Sequence, residues 1–378
     1  FIEDDTIHYF YTGNLKYFHR DDYDYINSGR GSNTITFTSK DGYEFTKKEL
    51  LMTTDDYPAD MSNHVRDPKI FKKNEKYYMV LGARDVEGVG MILLYESTDL
   101  KNWTYKNRIT TPQKFGYMWE CPDLFEMDGQ LYIICCPQGV ETQGIDYENV
   151  HQVTAMKLDY DFDTDEYEIT DIKLFDRGFD FYAPQTFEDE SGRRILIGWM
   201  GIPDADYTNP TEEAGWQHAL TIPRELSVRD GKLIQEPIEE LKQLRSEDKA
   251  VCTFCYGQTI IMQNAIYEAV VDFKRCREMV MTLREGITLS YKDNILTLNL
   301  GVYGSGRSTR KVRLEKLEHL QIFADTSSLE IFVNHGEEVF TTRIYNHHGR
   351  LLINGECSGI MTVYPLKSFE IEGGRHEE

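Results

Sequence analysis

Three Pro-x-x-Phe units constrain this chain more than any other feature. Pro68-Lys69-Ile70-Phe71 precedes Asn74-Glu75-Lys76 and the run Tyr77 to Leu81. Pro122-Asp123-Leu124-Phe125 precedes Asp128-Gly129-Gln130 and the run Leu131 to Ile134. Pro184-Gln185-Thr186-Phe187 precedes Ser191-Gly192-Arg193 and the run Arg194 to Ile197. Each unit reads as strand, tight turn, apolar strand. The prolines stand 54 and 62 residues apart. A second marker runs out of phase with the first. Ser39-Lys40-Asp41 with Phe45 and Ser97-Thr98-Asp99 with Trp103 share a Ser, an Asp and a terminal aromatic at an offset of 58 residues. Short strands recurring at this period, with no long helical pattern, predict the four-stranded blades of a β-propeller rather than a single sandwich of similar hairpins.

The first unit is incomplete. Asp5 to Gly13 matches the second strand of a blade, but no Pro-x-x-Phe strand precedes it. The sequence also opens on Phe1, in what reads as mid-strand. The expectation is therefore a chain cut at its N-terminus, with the first blade and part of the second absent. Blade markers end near Pro223-Arg224-Glu225-Leu226 and the hairpin at Asp230-Gly231-Lys232. The propeller is expected over 1–235 and a linker over 236–250, with an amphipathic helix from Pro237 to Arg245. Alternating strands without blade markers follow, so 251–378 is expected to be a β-sandwich.

The repeat also nominates a site. The residues two places before each proline are Arg66, Glu120 and Tyr182; those one place before are Asp67, Cys121 and Ala183. Equivalent ends of the inner strands of a propeller converge on one mouth. Two carboxylates, a guanidinium and a phenol would then share a pocket. Cleavage of a glycosidic bond needs one carboxyl group to protonate the leaving oxygen and another, ionised, to attack the anomeric carbon or support positive charge on the ring. Asp67, beside Arg66, is expected to stay ionised; Glu120, after the apolar Trp119, is the better acid.

Composition narrows the class. With 41 basic and 64 acidic residues the net charge is −23, and no basic patch or basic amphipathic helix is visible. Neither a nucleic-acid partner nor a membrane surface is expected. Such a chain repels anions at long range, so a phosphorylated substrate would need a local basic pocket. The 24 tyrosines suit strands and sugar-facing surfaces. Seven cysteines include one lone Cys252-x-x-Cys255 pair and no zinc spacing, so no metal and no cofactor are expected. Buried thiols at Cys135 and Cys136 fit a reducing, cytoplasmic setting. His64 and His218 read as structural, Asn102-Trp103-Thr104 as part of a blade marker, and Asp161 to Glu168 as a solvated turn rather than a calcium loop. Oligomeric state is left open.

The residues carrying the site also carry a resemblance. Val65-Arg66-Asp67-Pro68, Trp119-Glu120-Cys121-Pro122-Asp123, Asp180-Phe181-Tyr182-Ala183-Pro184 and Gly198-Trp199-Met200-Gly201 resemble the family 32 glycoside hydrolases, the invertase and fructanase group. Gly215 to Leu226, with Gly201-Ile202-Pro203-Asp204 before it, is most similar to the family's bacterial members acting on sucrose 6-phosphate. The resemblance implies a five-bladed propeller joined to a β-sandwich, and retaining transfer of a β-fructofuranosyl group to water. It implies that Glu120 is the acid/base and that Asp67 stabilises the transition state rather than attacks. Arg66, Asp180, Tyr182 and Trp199 would bind substrate. The family's nucleophile is the Asp of an Asn-Asp-Pro-Asn-Gly block, and no such block occurs in these 378 residues. The expectation that follows is a nucleophile upstream of Phe1 and no activity in this chain by itself. Hydrolysis of sucrose 6-phosphate or sucrose, hydrolysis of fructans, and non-catalytic carbohydrate binding remain three distinct readings at this point.

Overall fold

The computed structural model describes residues 1–368 except 258, 259, 263, 264 and 347. It is all-β: a propeller of four blades followed by a nearly closed β-sandwich. The first blade contains β1 (Ile2–Glu3), β2 (Thr6–Lys16), β3 (Arg30–Ser39) and β4 (Glu49–Met52). The second contains β5 (Met61–Lys73), β6 (Lys76–Asp85), β7 (Gly90–Ser97) and β8 (Thr104–Ile109). The third contains β9 (Met118–Met127), β10 (Gln130–Gln138), β11 (Thr154–Tyr160) and β12 (Tyr167–Leu174). The fourth contains β13 (Tyr182–Glu188), β14 (Arg194–Trp199), β15 (Arg224–Arg229) and β16 (Lys232–Pro237). In every blade the strands pair in sequence order. Four blades are thus described where the resemblance implied five. Asp5 to Gly13 falls on the second strand of the first blade, as the repeat required.

The chain divides into two compact units. One is Phe1–Asp176 with Phe181–Phe187 and Leu196–Asp206; the other is Arg177–Asp180 with Glu188–Ile195 and the residues from Tyr207 onward.

Blades stack face to face, so an inner strand has no solvent side. Along β6, Met79, Leu81 and Ala83 pack into one core with Val65, Leu93 and Tyr95. The alternate residues Tyr78 and Val80 pack into another with Trp119, Leu124, Ile133 and Met156. Side chains alternate faces with period two, and both faces are buried. This explains why Tyr77 to Ala83 reads as an unbroken apolar run. The second marker also has a physical basis. Ser97 Oγ accepts the N–H of Asp99 and Leu100, and Asp99 Oδ1 accepts the N–H of Lys101 and Asn102. Ser39 and Asp41 make the same four bonds to Asp41, Gly42, Tyr43 and Glu44. Both are side-chain-capped turns leading from a third strand towards a fourth. Asp161 Oδ1 likewise caps the N–H of Asp163 and Thr164, as expected of a solvated turn.

The sandwich comprises β17 (Ala250–Phe254), β18 (Ile260–Met262), β19 (Tyr267–Arg284), β20 (Ile287–Lys292), β21 (Ile295–Asn299), β22 (Thr309–Arg313), β23 (His319–Asp325), β24 (Ser328–Val333), β25 (Glu338–Arg343) and β26 (Gly349–Pro365). Two long strands, β19 and β26, pair along their whole length with register shifts at Phe273/Arg275 and Cys276/Glu278. Beyond those bulges β19 exchanges one neighbour for another: residues 267–272 pair with β23, and residues 279–284 with β20. Bulges bend strands, and here they let two strands serve both layers. The core between them includes Tyr267, Met281, Leu289, Ile322, Ile331, Phe340 and Met361.

The helix expected from Pro237 to Arg245 is corrected. Pro237 ends β16, and Glu239–Leu244 forms a 3-10 helix. Six residues are too few to offset the cost of nucleating an α-helix, so the tighter form prevails.

Candidate active site

The residue before each repeat proline has a left-handed backbone: φ is 63° at Asp67, 48° at Cys121 and 46° at Ala183. Proline disfavours the right-handed helical region at the residue before it. Non-glycine residues nonetheless pay strain for positive φ, and such strain gathers at functional sites. The pairing shows what it does. Arg66 pairs with Gly82 and Lys69 with Val80; Glu120 pairs with Cys136 and Asp123 with Ile134. The inner strands β5 and β9 therefore each spend one extra residue, a β-bulge, at the same place. The bulge turns two successive side chains out of simple alternation.

Those side chains meet. Arg66 Nε donates to Glu120 Oε1 at 3.0 Å, and its Nη2 reaches the same oxygen. Tyr182 Oη and Gln138 Nε2 each donate to Glu120 Oε2 at 2.8 Å. Arg66 also approaches Asp67 Oδ2, at 3.9 Å. Asp67 Oδ2 accepts the N–H of Cys121 at 3.0 Å, and the Asp67 N–H donates to Thr12 Oγ1 at 2.9 Å. Residues from β2, β5, β9, β10 and β13 thus enclose one carboxylate pair. Side-chain exposure is 15% for Arg66, 16% for Glu120 and 30% for Asp67, so the group is recessed but reachable.

The inner strands are also tied below the site. Asp123 is fully buried, and its Oδ2 accepts the N–H and hydroxyl of Thr186 at 2.7 and 2.8 Å. Lys69 Nζ lies 3.6 Å from the same oxygen. One carboxylate from β9 thereby links β5 and β13.

Electrostatics sharpen the picture. Burial raises the Asp67 carboxyl above its ordinary value, and the Cys121 N–H and Arg66 offset this only in part. The guanidinium hydrogen-bonds Glu120 and stands 3.9 Å from Asp67, so it serves both carboxylates and Glu120 the more closely. Burial pulls Arg66 down, but the Glu120 carboxylate outweighs it and raises the guanidinium. Burial, with Cys136 and Glu120 nearby, pushes the Tyr182 phenol far up, so it remains a donor. His64 is pushed down to about 3 by burial and then by Arg66, Arg30 and Arg84.

The structure thus brings together Arg66, Asp67, Glu120 and Tyr182. Trp199 stands beside Tyr182, with ring centroids 6.4 Å apart and nearly perpendicular. Asp180 does not join them. It is fully buried in the other compact unit, where its carboxylate accepts from Arg307 Nη1 at 3.0 Å, Thr342 Oγ1 at 3.0 Å, the Arg343 N–H at 2.8 Å and the Tyr207 hydroxyl. Sequence reasoning missed Gln138 and undervalued His64, whose Nδ1 lies 2.7 Å from Arg66 Nη1. Gln138 ends the apolar run of the second strand in the third blade. The polar residue closing that run was the available signal.

Comparisons with known proteins place the chain in a family. Residues 1–237 match the Glycosyl hydrolases family 32 N-terminal domain and residues 252–363 match the Glycosyl hydrolases family 32 C terminal. The chain is 35% identical to a sucrose-6-phosphate hydrolase of Staphylococcus xylosus, over 98% of this chain and 76% of that protein. It is 34% identical to that of Bacillus subtilis strain 168, over 94% and 75%. The structure of sucrose-6-phosphate hydrolase from Lactobacillus gasseri superposes with a TM-score of 0.85 at 26% identity, covering 97% of this chain and 77% of that one. A Bombyx mori GH32 beta-fructofuranosidase gives 0.82 at 28% identity, over 97% and 78%.

Proposed function

Because the chain belongs to glycosyl hydrolase family 32, we propose that it serves a retaining β-fructofuranosidase that hydrolyses sucrose 6-phosphate, and sucrose, to release fructose. The observation that carries this reading is the Arg66–Glu120–Tyr182 constellation beside Asp67. A fifth blade belongs to the same reading, since the chain spans about three quarters of the length of the curated relatives first compared.

Glu120 acts as the acid and then the base. Its four contacts come from two Arg66 nitrogens, the Gln138 amide and the Tyr182 hydroxyl, and only the last two can turn from donor to acceptor. Rotation of the Gln138 amide presents Oε1 in place of Nε2, and the Tyr182 hydroxyl can turn its proton towards the Cys136 carbonyl, 3.4 Å away. A proton on Glu120 Oε2 then has a partner until it passes to the leaving oxygen. Arg66 is permanently charged and cannot make that exchange. Asp67 supports the positive charge that develops on the fructosyl ring, and the raised cost of its burial is recovered only as that charge forms. Attack on the anomeric carbon is not assigned to any residue of this sequence. Trp199 beside Tyr182 offers an apolar wall to the sugar face.

Six of the seven cysteines, Cys121, Cys135, Cys136, Cys252, Cys276 and Cys357, carry free thiols, which supports a reducing, cytoplasmic setting. Among the described residues, no helix is long and apolar enough to cross a membrane. Turnover of sucrose 6-phosphate, sucrose and inulin by the full-length protein tests the assignment. Preference for sucrose 6-phosphate is expected; preference for inulin would move the protein to the fructan hydrolases. Binding of all three without fructose release would make it a carbohydrate-binding protein.

A further inference from the structure

Next to Arg66, on the side away from Glu120, Arg30 of the first blade, Arg84 of the second and Lys114 beyond it gather positive charge. Among the described residues, Arg30, Arg84 and Lys114 make no ion pair. In a chain with 64 acidic residues against 41 basic ones, neighbouring cations without a carboxylate are unexpected. Arg30 is 5% exposed and His64 is 7% exposed. Arg30 Nε, Arg84 Nε and His64 Nε2 are all buried without a hydrogen-bond partner. Buried donors in that state are normally satisfied, and those of a guanidinium most of all.

The groups face one another. Arg30 Nη1 donates to the Tyr25 hydroxyl at 3.0 Å, and the Tyr25 ring stands edge-on to His64 at 5.1 Å. Arg84 lies over the Tyr117 ring at 5.0 Å. Arg84 Nη2 and Lys114 Nζ converge on Gly88, 3.4 and 3.7 Å from where a Cβ would sit. Glycine keeps that space open. Nearby carboxylates are engaged elsewhere: Asp24 caps the Ile26 N–H at 2.8 Å and the Asn27 amide at 2.9 Å, and Asp85 caps the Val89 N–H at 2.8 Å.

The repeat fixes where this cluster stands. Arg66 pairs with Gly82 as Glu120 pairs with Cys136. Two residues on, Arg84 therefore occupies in the second blade the place that Gln138 occupies in the third. Gln138 reaches the acid itself. Arg84 is thus set at the rim of the same mouth, one blade away.

We propose that Arg30, His64, Arg84 and Lys114 form a subsite for the phosphate monoester on the leaving glucosyl unit. The unneutralised positive charge is what attracts a phosphate dianion, and the Arg84 Nη2 and Lys114 Nζ groups beside Gly88 are the donors it would meet, with Arg30 and His64 buried behind them. The subsite also gives an acidic protein the local basic pocket that an anionic substrate requires. Tyr25 and Tyr117 flank it as sugar-facing rings. This rests on the substrate reading above and deepens it.

The test uses Arg84→Gln and Lys114→Gln in the full-length protein, the second at an exposed position that does not endanger folding. The readout is kcat/KM for sucrose 6-phosphate relative to sucrose. Arg84→Gln is expected to lower that ratio about 10- to 100-fold and Lys114→Gln about 3- to 10-fold, the share of one charged hydrogen bond and of one exposed cation. An unchanged ratio in both variants of an enzyme that prefers sucrose 6-phosphate overturns the subsite and leaves the substrate reading standing. If the parent protein shows no such preference, calorimetry with glucose 6-phosphate against glucose decides. Tighter binding of the phosphate ester, lost in Arg84→Gln, supports the subsite by itself; equal binding of the two sugars overturns it.

Discussion

The second and third blades share one backbone device and put it to different chemical use. At the inner strand of each, a residue before proline takes positive φ and a bulge inserts one extra residue. In the second blade the two redirected side chains are Arg66 and Asp67; in the third they are Glu120 and Cys121. The second strands diverge likewise, with Arg84 where the third blade has Gln138. A duplicated blade supplies the geometry, and substitution at a few fixed places supplies the chemistry. That is why two blades with little sequence in common can complete a single site.

The sharpest way to break the comparison is to remove the carboxyl proton of the third blade. Glu120→Gln in the full-length enzyme is expected to slow release of a poor leaving group by about 10²–10⁴-fold. A substrate with an activated leaving group should lose far less in its first step. Equal losses for both, measured by steady-state kinetics, would remove Glu120 from the acid role. On the second blade, Arg66→Met leaves Glu120 without its charged donor. A fall in kcat of about 10²-fold, measured by steady-state kinetics, is expected.

Asp180 offers a contrast, because its carboxylate is spent on structure. Asp180→Ala strands Arg307 and the Arg343 N–H, and a stability loss of about 3–5 kcal/mol is expected in urea denaturation. Substrate selectivity should not move. Substitution at the bulge is gentler. Cys121→Val forces a β-branched residue into positive φ and should cost about 1–3 kcal/mol, whereas Cys121→Gly should be nearly neutral for stability.

The smallest effect concerns His64. Its folded value is lowered to about 3 from an ordinary 6.5. Below pH 6.5 the unfolded chain binds a proton that folded His64 refuses. Stability therefore falls as pH drops from about 6.5 towards about 3, and His64→Gln should flatten that part of the curve.

Much of this architecture is visible in the amino-acid order. Pro68 and Pro122 mark the bulges, and Pro184 the same positive φ, because proline restricts the residue before it. The Ser39/Asp41 and Ser97/Asp99 pairs mark the outer turns because their side chains bond the backbone within four residues. Both are local effects, so sequence reports them. That Glu120 and Arg66 share one pocket was foreseen only because a repeat converts distance along the chain into equivalence in space. Gln138 has no such label: a glutamine at the end of an apolar strand is a polar terminus until the neighbouring inner strand brings Glu120 to it. Asp180 failed for the opposite reason. Its spacing from Pro184 resembles a site position, yet Arg307, Thr342 and Arg343, more than 120 residues downstream, claim its carboxylate.

Sequence by itself determined that this chain is built from blades, where each blade bends, and that Glu120 and Asp67 stand at one mouth. Tertiary structure alone decided that Arg66 hydrogen-bonds Glu120 rather than Asp67, that burial raises Asp67, and that Arg30, Arg84 and Lys114 make no ion pair among the described residues. Propensity and turn chemistry act over a few residues, but hydrogen-bond choice and desolvation depend on which groups arrive from elsewhere once the chain has folded.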